Sequence, residues 1–136
     1  MNLHRTDRAV KWGKVVLALW TLILLGVLLA PIGEKIVPAP FLFKHWDKVA
    51  HLGLFAITGF VSVFGVNFRN QFKLRVFFGA IFSLFIAVAT ECGQSLTPSR
   101  DMSLYDLLAD VIGVGVGLAF YALLYSRYSV RSLLRL

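Results

Sequence analysis

The sequence is short of cysteine, of charge and above all of acids. Its single cysteine, Cys92, excludes an intrachain disulfide framework and any metal site built from several thiolates. Beside Glu91 in an apolar run, it is expected to be a small packing residue. Charged residues make up only 15% of the chain, with 7 acids against 14 lysines and arginines. No HExxH or comparable ligand spacing occurs, so no metal or cofactor follows from a motif. No segments of about ten residues alternate between apolar and polar, which argues against a membrane β-barrel. No internal repeat is evident.

What is present is apolar. The 136 residues are 58% hydrophobic, above the roughly half found in ordinary soluble domains. Mean hydropathy is +0.76, which makes a membrane protein of one domain the natural reading. The net charge of +7 does not point to nucleic acid, because the basic residues are scattered between hydrophobic runs and build no continuous patch.

Four apolar runs stand out, at 15–32, 49–66, 74–96 and 104–125. At 1.5 Å per residue each is close to bilayer-spanning length, and charged, proline or polar clusters bound them. The expected fold is all-α, an integral membrane four-helix bundle. The first run follows a basic stretch, as a signal peptide would, but "LLAPIGEKIVP" offers no convincing small-x-small cleavage site and more membrane follows.

Lysine and arginine fix the expected orientation. Arg5, Arg8, Lys11, Lys14, Arg69, Lys73, Arg75, Arg127, Arg131 and Arg135 fall on one side, and only Lys35, Lys44, Lys48 and Arg100 on the other. The positive-inside bias therefore predicts both termini in the cytoplasm. Between the first two runs, "PIGEKIVPAPFLFKHWDK" carries three helix-breaking prolines and Phe41, Phe43 and Trp46, which suit an interfacial aromatic belt on the outer surface.

The acids were not used in that count, yet six of the seven lie in the outer half: Glu34, Asp47, Glu91, Asp101, Asp106 and Asp110. Acids contribute little to topology, so insertion does not explain them. Asp47, Lys48 and His51 open the second helix. Glu91 sits about 10 Å below the outer end of the third, with Gln94 on the same face at i+3. Asp106 and Asp110 share a face of the fourth at i,i+4.

Each of these residues has a plain structural role available. Asp47 is a good N-cap type, and Ser103 to Asp106 matches a relaxed capping box. His51 can be a packing histidine, and Lys48 and Arg100 can snorkel. Glu91 and Asp110 resist that treatment, because an acid at the centre of a membrane helix costs roughly 2.5–3.5 kcal/mol and is functional by default. A structural ion-pair network with Lys48 and Arg100 is the competing account. In the last helix Gly113 and Gly117 form a GxxxG pair, expected to admit a neighbouring helix of the same chain rather than a second copy.

These residues resemble the VanZ-like membrane proteins. The pattern is "DKVAH" (Asp47, Lys48, His51), then Gly59, "ECGQ" (Glu91, Gln94), "PSR" (Pro98, Arg100) and "DLLADVIGVGVG" (Asp106, Asp110, Gly113, Gly117), and it covers nearly the whole chain. Two positions depart from it: Asp110 stands where the family commonly has asparagine, and Phe55 where a tyrosine is often found after the histidine. The resemblance implies a multi-pass protein of the bacterial cytoplasmic membrane. The family takes its name from a protein associated with resistance to the glycopeptide antibiotic teicoplanin, and no settled biochemical activity comes with the name.

Three classes of function follow as expectations. The first is a site at the outer leaflet that binds or processes an envelope lipid or a cell-wall-related ligand. In it Lys48 and Arg100 would hold phosphate or carboxylate, Asp47, Gln94 and Asp110 would complete the binding set, and His51, Glu91 and Asp106 would take acid or base roles. His51, Glu91, Asp106 and Asp110 are also the residues that a divalent ion would use, though the spacing alone selects none. The second class is a noncatalytic membrane scaffold. The third, ion- or proton-coupled transport, ranks lower because no acidic path continues toward the cytoplasmic side. The expected partners are membrane lipids and no nucleic acid.

Overall fold

The computed structural model describes residues 3–30, 46–66, 71–96 and 102–133. Four helices account for nearly all of them: α1 (Leu3–Leu29), α2 (Trp46–Gly65), α3 (Phe72–Ser95) and α4 (Leu104–Leu133). No strand occurs among the described residues. Each helix contains a stretch long and apolar enough to cross a membrane: Val10–Leu29, Trp46–Gly65, Phe72–Ser95 and Leu104–Tyr128. The all-α four-helix architecture expected from the apolar runs is the one observed.

The helices outlast those runs at both ends of the chain. α1 already begins at Leu3, because the polar segment before the first run contains no proline or other strong breaker. α4 continues to Leu133, well past the last apolar residue of its run. The proline-bearing link between α1 and α2, with Glu34, and the segment holding Pro98, Arg100 and Asp101 lie outside the described residues.

Side-chain contacts fix the up-down-up-down order. At one end the start of α2 meets the start of α4 (Lys48 to Asp106), and the end of α3 meets the end of α1 (Gln94 to Leu28). At the opposite end the start of α1 meets the end of α2, where Gly13 lies against the Phe64 carbonyl. There too the start of α3 meets the end of α4, with Phe72 stacked on Tyr125 at 4.7 Å between ring centroids.

Packing is most extensive between α2 and α4, and glycine is the reason. A Cβ on Gly113 would collide with the Leu52 carbonyl, one on Gly117 with the Ala56 carbonyl, and one on Gly59 with the Val114 carbonyl at 2.6 Å. The GxxxG pair of the last helix therefore receives α2 of the same chain, as expected, and the two backbones approach with no side chain between them.

The distribution of polarity is inverted relative to a soluble protein. Large apolar side chains cover the outside, among them Leu22 and Phe85, at 66% and 69% exposure. The interior holds hydroxyls, an amide, an imidazole and three carboxyls. Thr58, Ser83 and Thr90 return their protons to carbonyls of the preceding turn, which satisfies them inside their own helices. Trp20 Nε1 donates to Thr58 Oγ1 at 2.9 Å and ties α1 to α2. Such an inside-out surface belongs in lipid, and the chain reads as a multi-pass membrane protein.

Candidate functional site

Three helices bring one polar residue each to the same depth. His51 comes from the second turn of α2, Glu91 from the last two turns of α3 and Asp110 from the second turn of α4. All three are sealed, with exposures of 1%, 0% and 0%. His51 Nδ1 lies 2.9 Å from Asp110 Oδ1 and 3.9 Å from Glu91 Oε1. The first is a hydrogen bond across the α2–α4 interface, in the register that Gly113 sets one turn below by letting α4 close on α2.

Apolar side chains adjoin the cluster, with the buried hydroxyls among them. One turn further along each helix the polar residue gives way to Phe55, Ala87 and Val114, which join Leu24, Leu28 and Ile86 in the buried core. The described residues hold no further buried acid or histidine toward the opposite end of the bundle.

A second layer lies nearer the start of α2 and α4. Lys48 Nζ contacts Asp106 Oδ1 at 3.0 Å, with the two side chains 35% and 8% exposed. Tyr105 extends beneath the same ammonium, 6.0 Å from ring centroid to nitrogen. Asp47 is exposed in the first turn of α2, where its charge complements the helix dipole.

The capping of α4 explains why Asp106 is available to Lys48. Ser103 Oγ accepts the Asp106 backbone N–H at 3.3 Å, which is one half of a capping box. The other half is supplied from α3: the Ser103 backbone N–H donates to Glu91 Oε2 at 3.0 Å. Glu91 thus does for α4 what the residue three places into the helix ordinarily does. Asp106 is left free to turn to α2, and Glu91 Oε1 is left facing His51.

Gln94 does not join the cluster. Its amide donates to the Leu28 carbonyl at 3.1 Å and bridges α3 to the end of α1, a structural role that an i+3 spacing from Glu91 did not disclose. Cys92, expected as a packing residue, is exposed on α3. Arg100 lies outside the described residues. The structure therefore gathers His51, Glu91 and Asp110 in a sealed core and Lys48, Asp106 and Asp47 at its rim, and sends Gln94 elsewhere.

Chemically the core offers one imidazole and two carboxyls around a small space. Glu91 Oε1, Asp110 Oδ2 and His51 Nε2 are buried without a hydrogen-bond partner, which is costly for atoms of this polarity. Orphaned buried donors and acceptors concentrated in one place mark the point where something small is expected to bind or a proton to be held. No family model, no curated protein and no solved structure matches the chain.

Proposed function

We propose that this protein sits in a bacterial cytoplasmic membrane with both termini in the cytoplasm and binds or processes an envelope lipid or cell-wall-related headgroup at the outer leaflet. The resemblance to the VanZ-like proteins and the distribution of lysine and arginine support this placement. The observation that carries the reading is the two-layer polar end. A partly exposed lysine stands at the rim, within reach of an anionic headgroup, directly above a sealed imidazole–carboxyl core. Apolar helix faces beside it suit acyl chains. The described residues hold no further buried acid or histidine beyond the core, which favours a binding or reacting site over a transport path.

Division of labour follows from the layers. Lys48 meets phosphate or carboxylate, and Asp106 holds the ammonium in place until an anion competes for it. His51, Glu91 and Asp110 would act on the bound group or organise the site beneath it. A link to glycopeptide resistance rests on the family resemblance alone.

Two contacts favour a second reading, in which the polar end is a noncatalytic scaffold. Lys48–Asp106 and Glu91–Ser103 each tie neighbouring helices at one end of the bundle, as structural links would. Native mass spectrometry on wild type, Lys48→Gln and Glu91→Gln separates the two. A headgroup site keeps a specific anionic lipid in wild type and loses it in Lys48→Gln, with the fold intact. Equal lipid retention by all three proteins would reject the headgroup reading in favour of the scaffold.

A further inference from the structure

We infer that His51, Glu91 and Asp110 form a binding site for a first-row divalent cation, shared by α2, α3 and α4. The site is built from these three side chains alone and does not depend on which headgroup, if any, binds at the rim.

Distance is the first support. One donor atom from each residue lies within 4.8 Å of the other two. Two ligands of a tetrahedral ion with bonds of about 2.1 Å stand about 3.4 Å apart. The 2.9 Å from His51 Nδ1 to Asp110 Oδ1 and the 3.9 Å to Glu91 Oε1 fall on either side of that value. The longer separation is too great for a hydrogen bond, yet suits two ligands of one ion.

The orphaned atoms are the second and independent support. Glu91 Oε1 and Asp110 Oδ2 are buried carboxyl oxygens with no partner, and both belong to this cluster. An ion between the carboxyls would engage them. His51 Nε2, also without a partner, is the nitrogen left to carry the proton when Nδ1 coordinates.

Charge and support complete the case. A bound ion would need both carboxyls ionised and the imidazole neutral, and a dication would then cancel the two negative charges that the interior of a membrane bundle otherwise disfavours. The Ser103 N–H fixes Glu91 through Oε2 and turns Oε1 inward, as outer partners do for metal-ligating carboxylates. The three side chains are sealed from solvent, which fits a small ion. The imidazole in the set favours Zn²⁺, and the two carboxylates also suit Mn²⁺.

The test uses the full chain in detergent, stripped with chelator and free of any affinity tag, titrated with Zn²⁺ and with Mn²⁺ and read by elemental analysis and thermal unfolding. Expected is uptake of roughly one ion per chain with a rise in melting temperature. Lys48→Gln, outside the core, keeps that uptake, whereas Glu91→Gln and Asp110→Asn weaken it at least tenfold. No uptake and no thermal shift in wild type would overturn the site and leave the core neutralised by protons alone. Uptake unchanged in both core variants would overturn it as well, by placing the ion elsewhere. If those variants do not fold, X-ray absorption on metal-loaded wild type decides: one imidazole among oxygen ligands supports the site, and sulfur, several imidazoles or none refutes it.

Discussion

Glu91 caps a helix to which it does not belong. Its Oε2 accepts the backbone N–H of Ser103 at 3.0 Å, so the end of α3 closes the start of α4 across twelve residues of sequence. The same carboxyl faces His51 through its other oxygen, at 3.9 Å from Nδ1. One side chain therefore couples the fold of the hairpin to the chemistry of the core, and different substitutions separate the two roles.

Glu91→Gln retains a carbonyl oxygen for the Ser103 N–H and is expected to keep the fold. Glu91→Ala removes the cap and opens space in a packed interior. Loss of a cap alone costs about 0.5–2 kcal/mol, and the vacated volume adds to it. Unfolding of both variants beside wild type, in the same detergent, is expected to rank them wild type, Gln, Ala, with most of the loss at the last step. Equal losses for Gln and Ala would mean that charge, not the cap, is what the fold requires.

The glycines of α4 make a sharper comparison, because three of them lie on one helix in different surroundings. Gly113 and Gly117 face carbonyls of α2, whereas a Cβ on Gly115 meets nothing within 4 Å. Gly113→Ala and Gly117→Ala should each cost about 1–3 kcal/mol through overpacking against rigid backbone. Gly115→Ala should be neutral or stabilising by up to about 1 kcal/mol, since alanine is the better helix former. Unfolding midpoints of the three single variants check the contrast, and equal effects would be inconsistent with the close α2–α4 approach.

Much of this was legible in the sequence, and what was not has a common cause. Hydropathy reports how long a segment stays apolar, so the four helices could be expected from it. It says nothing about where a polar helix begins, and the start of α1 at Leu3 was missed for that reason. Spacing within a helix placed Asp106 and Asp110 on one face, and Gly113 and Gly117 against a neighbour. Contacts between helices are not encoded in spacing. Gln94 shares a face with Glu91 at i+3, yet it turns to Leu28 while Glu91 turns to Ser103 and His51. Trp20 bonding Thr58 is another such pair, for which no local signal exists.

The hydrogen bond between His51 and Asp110 is expected to show strong coupling. Removing one partner leaves the other buried and unpaired, so His51→Ala or Asp110→Ala alone should cost about 3–5 kcal/mol. The double variant should cost less than the sum of the two, with an interaction energy of about 0.5–3 kcal/mol. A double-mutant cycle on unfolding free energy measures it. Additive losses would show that the two side chains, despite their 2.9 Å contact, do not depend on one another.

Lys48 separates function from fold in the opposite sense. Its side chain is 35% exposed whereas that of Asp106 is 8% exposed, so solvent screens the pair from one side only, but a glutamine at this position still offers the carboxyl an N–H donor. Lys48→Gln should therefore barely move the unfolding midpoint. If the rim holds an anionic headgroup, the same substitution should abolish retention of that lipid, because the amide carries no charge to offset a phosphate or carboxylate. Lys48→Arg keeps the charge and restores retention at least in part. The informative pattern is retention that follows charge while stability stays flat across all three proteins; a stability loss in Lys48→Gln as large as that of the core variants would instead make the rim pair a structural link and favour the scaffold.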